Sequence, residues 1–190
     1  MQDFSVARRA MVDSQLRPQA VTDAAVLDAM GAVPREQYVP DGARDFAYVD
    51  RSVMLDGGRR LMPPAAIGRL LSELAPRPGE RALLVAPAGG YARALLEAIG
   101  LTVDSVDGPG IGTAAGPYDL ILFDGAVDRF PPAFAALLGS VGRIGGAIST
   151  SSVSRIMIGQ VAGGSLGLRP IVDADIAPIA AFERPQAFSF

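Results

Sequence analysis

The stretch Arg81-Ala82-Leu83-Leu84-Val85-Ala86-Pro87-Ala88-Gly89-Gly90-Tyr91-Ala92-Arg93-Ala94-Leu95-Leu96-Glu97-Ala98-Ile99-Gly100-Leu101-Thr102-Val103-Asp104-Ser105-Val106-Asp107 decides the fold. Arg81 to Val85 is a short apolar run of the kind that a parallel strand buried on both faces requires. Ala86 to Gly90 are small residues suited to a turn. Tyr91 to Ile99 predicts a helix closed by Gly100, and Leu101 to Val106 predicts a second strand ending in Asp107. A third apolar run, Asp119 to Phe123, stops at Asp124-Gly125. Strand, helix, strand, crossover, strand is the rhythm of a doubly wound, mostly parallel α/β sheet.

Upstream the chain reads as helical. Ser5 to Leu16 places Val6, Ala10, Val12 and Leu16 on a loose helical face, and Arg17-Pro18 ends it. Thr22-Asp23 is the expected cap of a helix from Ala24 to Met30, which Gly31 closes. Pro34 to Pro40 is a short segment bounded by prolines. Pro63-Pro64 opens a helix over Ala65 to Leu74, with proline in its preferred first turn. Ala75 to Gly79 breaks the chain before the first strand. Downstream, Phe130 to Leu138 predicts a helix, and Gly142 to Thr150, Arg155 to Val161 and Pro170 to Phe182 predict strands. The expected organisation is one domain over 1–190, with a helical N-terminal segment (1–78) leading into an α/β core (79–190).

Composition narrows the chemistry. A chain of 190 residues has room for one domain with a full core, and 49% apolar residues make it globular. No apolar run approaches the roughly 20 residues that span a bilayer. The first residues, Met1 to Ser5, lack a basic segment followed by an apolar one. The expectation is a soluble cytoplasmic protein without a membrane partner. With no cysteine there are no disulfides and no thiolate metal site, and no metal is expected. The net charge is −3, with scattered basic residues, which argues against duplex nucleic acid as a partner. There is no histidine, which removes the commonest general base and the Ser-His-Asp triad.

In sheets of this kind ligands bind at the carboxyl ends of the central strands. The turn after the first strand presents backbone N–H groups and a helix N-terminus. Asp107, ending the second strand, stands where a nucleotide cofactor's ribose hydroxyls bind; the plainer reading is a turn residue before Gly108-Pro109.

The ordered set Pro34-Arg35-Glu36-Gln37-Tyr38-Val39-Pro40, Ala47-Tyr48-Val49-Asp50, Gly58 to Pro64, Pro78-Gly79-Glu80-Arg81, Gly90-Tyr91 and Pro117-Tyr118-Asp119 resembles the protein-L-isoaspartate O-methyltransferase family. The resemblance covers about Phe4 to Gly146. It implies a Rossmann-like methyltransferase fold, S-adenosylmethionine as cofactor, and isoaspartyl residues of aged proteins as methyl acceptors. It also implies cofactor binding at Ala86, Ala88, Gly89, Gly90, Tyr91 and Asp107, and substrate binding at Gly58, Arg59, Arg60, Leu61, Met62 and Pro64. The chemistry suits a chain without histidine, because a carboxylate with a pKa near 4 is already an anion at neutral pH.

Three departures from the family pattern stand out. The family loop usually reads V-L-E-I-G-x-G-x-G-Y; here Leu84 replaces the glutamate and Ala86 and Ala88 replace glycines. Alanine at positive φ costs roughly 1 kcal/mol or more, so the loop is expected to take another shape, and Pro87 removes a donor. The segment usually reads G-Q-T-I-S-Q-P; here Met62 stands at the serine position and cannot donate a hydrogen bond, which leaves no intact catalytic residue. Arg59 and Arg60 are either a carboxylate-attracting pair or a solvated charged pair. Finally, the ten residues Gly108 to Pro117 include four glycines and two prolines and cannot hold a helix and a strand. One edge strand and one covering helix are therefore expected to be missing. An alternative alignment reads Val106-Asp107-Gly108 as the family's own Gly-Asp-Gly turn. A missing helix would bare apolar sheet surface, which predicts a homodimer or another protein cover.

Two functional readings follow. One is a working methyltransferase. The other is a catalytically inactive methyltransferase-like protein kept as a binding or assembly module, favoured by Leu84, Ala86, Pro87, Ala88 and Met62. A dinucleotide oxidoreductase is disfavoured, because no G-x-G-x-x-G follows the first strand.

Overall fold

The computed structural model describes residues 3–150 and 153–182. Its N-terminal half is helical. α1 (Phe4–Met11) starts where the Asp3 carboxylate accepts from the Ser5 N–H, and it runs on through a wider turn, Val12–Leu16. α2 (Ala24–Ala32) starts where Asp23 accepts from the Val26 N–H, satisfying one of the helix's orphan donors. The prolines frame a single 3-10 turn, Arg35–Tyr38. A small hairpin of β1 (Val53–Met54) and β2 (Arg60–Leu61) precedes α3 (Pro64–Leu74). Pro63 gives α3 no side-chain cap; Asp50 supplies one from a distance by accepting from the Ala65 N–H at 2.9 Å.

The second half builds the sheet. β3 (Arg81–Val85), α4 (Tyr91–Ile99), β4 (Thr102–Val106), β5 (Tyr118–Val127), the one-turn α5 (Pro132–Ala135), β6 (Leu138–Thr150), β7 (Val153–Ala162) and β8 (Ser165–Asp173) follow in order. Among the described residues the order across the sheet is β4-β3-β5-β6-β7-β8, parallel through β6 and antiparallel from β6 to β8. Both faces are buried, as the unbroken apolar run of β3 requires. Ala82 and Leu84 join Leu120 and Leu122 beneath α1 to α4. Leu83 and Val85 join Ile121, Phe123 and Phe134 on the other face. That face is covered thinly, by α5, by Ile179 and Phe182, and by Ile111 and Ala114 of the crossover. Its centre is Phe123, whose ring lies 5.2–5.6 Å from those of Phe130, Phe134 and Phe182.

The later elements differ from the sequence expectation. The helix expected over Phe130 to Leu138 is one turn, because Pro131 and Pro132 open it and Leu138 is drawn into β6 beside Tyr118. The last strand is Ser165–Asp173, not Pro170 to Phe182. Beyond it the chain crosses the carboxyl ends of the sheet, with Ala126 donating to Ala177 O and Ile179 donating to Ala126 O.

No helix or strand lies between β4 and β5, as the ten-residue crossover requires, and β4 is an edge strand. The apolar strip expected beside it is not there. Among the described residues the exposed large apolar ones are Val6, Phe46, Val49, Met54, Val141, Val153, Leu168 and Val172, none of them on β4 or the crossover. Two features account for this. β4 carries Thr102, Asp104 and Ser105, with Asp104 held by Arg81 and the Tyr118 hydroxyl. The crossover also folds back, packing Ile111 and Ala114 on the sheet. Because β4 lies directly against β3, Asp107 ends the neighbouring strand, as the first of the two alignments has it.

One buried cation joins the two halves. The Arg35 guanidinium is fully buried, donates to Ala47 O at 2.7 Å and to Met62 O at 2.6 Å, and lies 4.9 Å from the centre of the Tyr91 ring. Arg35→Met would fill similar space but leave both carbonyls unpaired. The expected loss is about 2–4 kcal/mol of unfolding free energy in urea denaturation. A loss below about 0.5 kcal/mol would show that Arg35 is not the anchor described.

Candidate active site

The parallel register sets the site. Val85 is level with Val106 on one side and Phe123 on the other. The next residues, Ala86, Asp107 and Asp124, therefore emerge together at the carboxyl edge of the sheet. The end of the small hairpin (Gly58 and Arg59 of its turn, Arg60 at the start of β2) and the crossing segment Ala177–Ala181 close over them. Together with Gly57 and Ala88 they line a cavity of about 330 Å³, at the small end of the roughly 300–1,000 Å³ usual for small-molecule sites.

The loop after β3 keeps a left-handed backbone in spite of its sequence. Ala86 has φ +53°, where a changed shape was expected. Its N–H donates to Val106 O at 2.7 Å and its residue is only 8% exposed, so a ladder bond and burial offset the strain of about 1 kcal/mol. Ala88 is outside the left-handed region, and its N–H donates to Asp124 Oδ2 at 2.7 Å. Arg59 donates to Pro87 O at 2.8 Å, which ties the hairpin to the loop.

The structure divides the residues singled out from sequence. Gly58, Arg59, Arg60, Ala86, Ala88 and Asp107 line the cavity. Gly89, Gly90 and Tyr91 do not. Gly89 has φ +67° and its Cα faces the hairpin core, where an added Cβ would stand 2.8 Å from Leu55 Cδ1. Gly90 caps α4 beside the Tyr38 ring, and Tyr91 is buried beneath Arg35. Leu61, Met62 and Pro64 are core residues, and Met62 offers only its carbonyl, to Arg35.

Asp124 was missed as a site residue. In sequence it reads as the first half of an Asp-Gly turn. The available signal was the one used for Asp107: an acid directly after an apolar run expected to be a central strand. Asp124 is 3% exposed. Burial pushes its carboxyl up to about 7, against the opposing pull of the Ala88 N–H and the positive charges of Arg35 and Arg59. Its Oδ1 is buried and meets no hydrogen-bond partner among the described residues.

Comparisons with known proteins bear on this site. Residues 7–106 match the family model of protein-L-isoaspartate(D-aspartate) O-methyltransferase. A protein-L-isoaspartate O-methyltransferase of Methylorubrum extorquens is 36% identical over 168 residues, 75% of this chain and 74% of that protein. A Marinobacter nauticus protein named protein-L-isoaspartate O-methyltransferase 2 is 40% identical over 106 residues, 56% of this chain and 48% of that one. In fold, the chain is similar to a Plasmodium falciparum protein assigned as a protein-L-isoaspartate O-methyltransferase and solved with S-adenosyl-L-homocysteine. There the TM-score is 0.76 at 15% identity, covering 92% of this chain and 98% of that one.

A pKa raised on folding makes stability depend on pH. The contribution belongs to the protonated carboxyl, so it is complete below the unfolded value near 3.8 and is lost as pH rises to about 7. Asp124→Asn carries no such proton. Its melting temperature should therefore rise relative to the parent by several degrees between pH 5 and pH 8. A difference that does not change with pH would mean that the carboxyl is not held protonated by burial.

Proposed function

The chain belongs to the protein-L-isoaspartate O-methyltransferase family, and on that premise we propose that it methylates the side carboxylate of isoaspartyl residues in aged proteins, with S-adenosylmethionine as the donor. The observation that carries the reading is the cavity that gathers the loop after β3, the acid after β4 and the hairpin end Gly58–Arg60 in one place. The residues present suit the cofactor. The loop keeps a left-handed residue at Ala86, an acid stands at each side of the cavity, and one buried carboxylate oxygen lacks a partner. Ala86, Ala88, Asp107 and Asp124 would hold it. When bound, the cofactor supplies an electrophilic methyl group on a sulfonium.

The chain's own residues then have a limited task. The acceptor carboxylate is ionised at neutral pH and needs no base, which a chain without histidine satisfies. Arg60, exposed on the hairpin at the cavity mouth, is the cation placed to hold that carboxylate. Arg59 ties the hairpin to Pro87 O, so the acceptor and donor walls are fixed relative to each other. Positioning of this kind is the main source of rate in such a transfer. The Ala177–Ala181 segment contributes only apolar side chains and keeps water from one wall. The left-handed turn kept at Ala86 and the family membership both favour this reading over an inactive descendant. No helix among the described residues is long and apolar enough to cross a membrane.

Calorimetric titration with S-adenosylmethionine should give one site per chain with micromolar affinity, and isoaspartyl peptides should be methylated while their aspartyl counterparts are not. Absence of binding at millimolar cofactor would overturn the proposal. In the same assay Arg60→Ala should raise the peptide KM roughly tenfold, the loss of one charge-assisted contact, and leave cofactor affinity unchanged. An unchanged KM would remove Arg60 from the acceptor site.

A further inference from the structure

We propose that Asp124 is the residue that recognises the ligand's amine, binding the α-ammonium group at the amino-acid end of the cofactor through Oδ1. The inference rests on the methyltransferase reading and goes one step beyond it, to the residue that selects the charged end of the cofactor.

Three observations converge on it. The first is the orphaned oxygen. Oδ2 is used by the Ala88 N–H, whereas Oδ1 is buried in the cavity wall without a partner. A buried acceptor left unpaired is costly and calls for an explanation; a donor arriving with the ligand is one. The second is the state of the loop. Pro87 has no N–H, the Ala86 N–H is spent on Val106 O and the Ala88 N–H on Asp124. This part of the wall offers an acceptor where such a loop usually offers donors, and an acceptor fits a cation.

The third is the set of charges around Asp124. Arg35 faces it from the turn after α2; its Nε and Nη2 donate to Ala47 O and Met62 O, and its buried Nη1 does not reach Oδ1 to hydrogen-bond with it. Arg59, on the hairpin, is bonded to Pro87 O. Arg60 and Asp107 line the same cavity, and Ala177–Ala181 brings no titratable side chain. No cation of the chain takes Oδ1 among the described residues. Arg35 and Arg59 nevertheless favour the ionised carboxylate that an ammonium group requires. Asparagine at this position would still accept from the Ala88 N–H but would turn an N–H₂ towards the ligand.

The test is calorimetry on the full chain at pH 8, with two probes: S-adenosylhomocysteine and its deaminated analogue, which keeps the nucleoside and the carboxylate. The parent should bind S-adenosylhomocysteine at least about tenfold more tightly, the ratio expected of one hydrogen bond between charged groups. In Asp124→Asn that preference should shrink to within about twofold, with affinity for the deaminated analogue unchanged, which also certifies that the variant is folded. The parent's preference should narrow as pH falls from 8 to 5.5 and Asp124 takes up a proton. A preference that survives in Asp124→Asn, or a parent that binds both probes equally, would overturn the inference and leave the cofactor reading intact. A parent that binds neither probe would overturn the cofactor reading itself, and this inference with it.

Discussion

The parallel pairing of β3 with both of its neighbours ends at one level, and that is the constraint on which the rest of the structure depends. Backbone hydrogen bonding levels Val85 with Val106 and Phe123, and the pleat allows no slip without turning every buried side chain to the wrong face. The following residues must then arrive together. Ala86 takes a left-handed backbone because its N–H is fixed to β4. Asp124 is driven under the loop because β5 is buried along nearly its whole length. The cavity is the space that remains once these ends, the hairpin and the Ala177–Ala181 segment have been placed.

The N-terminal half is fitted to that edge through Arg35. A guanidinium with two backbone carbonyls as acceptors and an aromatic ring beneath it offsets much of the cost of burying a charge. It fixes the chain at Ala47, at Met62 and over the first residue of α4. The hairpin between those points, with Arg59 and Arg60 at its end, is therefore held against the loop by a buried polar network as well as by surface contacts. The same cation adds to the positive potential felt by Asp124, so the folding anchor and the site are electrostatically linked.

The parts legible in the sequence were those set by short-range pattern. β3 and α4 fall at the expected residues because an apolar run, a small-residue turn and a closing Gly100 define them locally. The missing strand and helix could be read from the glycines and prolines of 108–117. The tertiary consequences were not legible. Ala86 argued against a left-handed turn on intrinsic preference alone, and the bond from its N–H to Val106 reverses that preference. Nothing local shows that Ile111 and Ala114 cover the strip left by a lost helix, or that the chain after Asp173 leaves the sheet to roof the cavity. The resemblance implies cofactor binding at Tyr91, yet its side chain is core, with Arg35, distant in sequence, lying over it. Asp124 was passed over because burial, which gives it its chemical character, is not visible in an Asp-Gly pair.

The account's central claim is that this edge of the sheet, with alanines and a proline in its loop, still holds a methyl-donor cofactor. The most direct measurement is a crystal structure of the chain with S-adenosylhomocysteine. The account predicts the ligand in the cavity between Ala86, Asp107 and Asp124, with its amine against Asp124 and the Ala86 backbone still left-handed. Ligand bound elsewhere, or a cavity that stays closed by the Ala177–Ala181 segment in crystals soaked at saturating concentration, would contradict it.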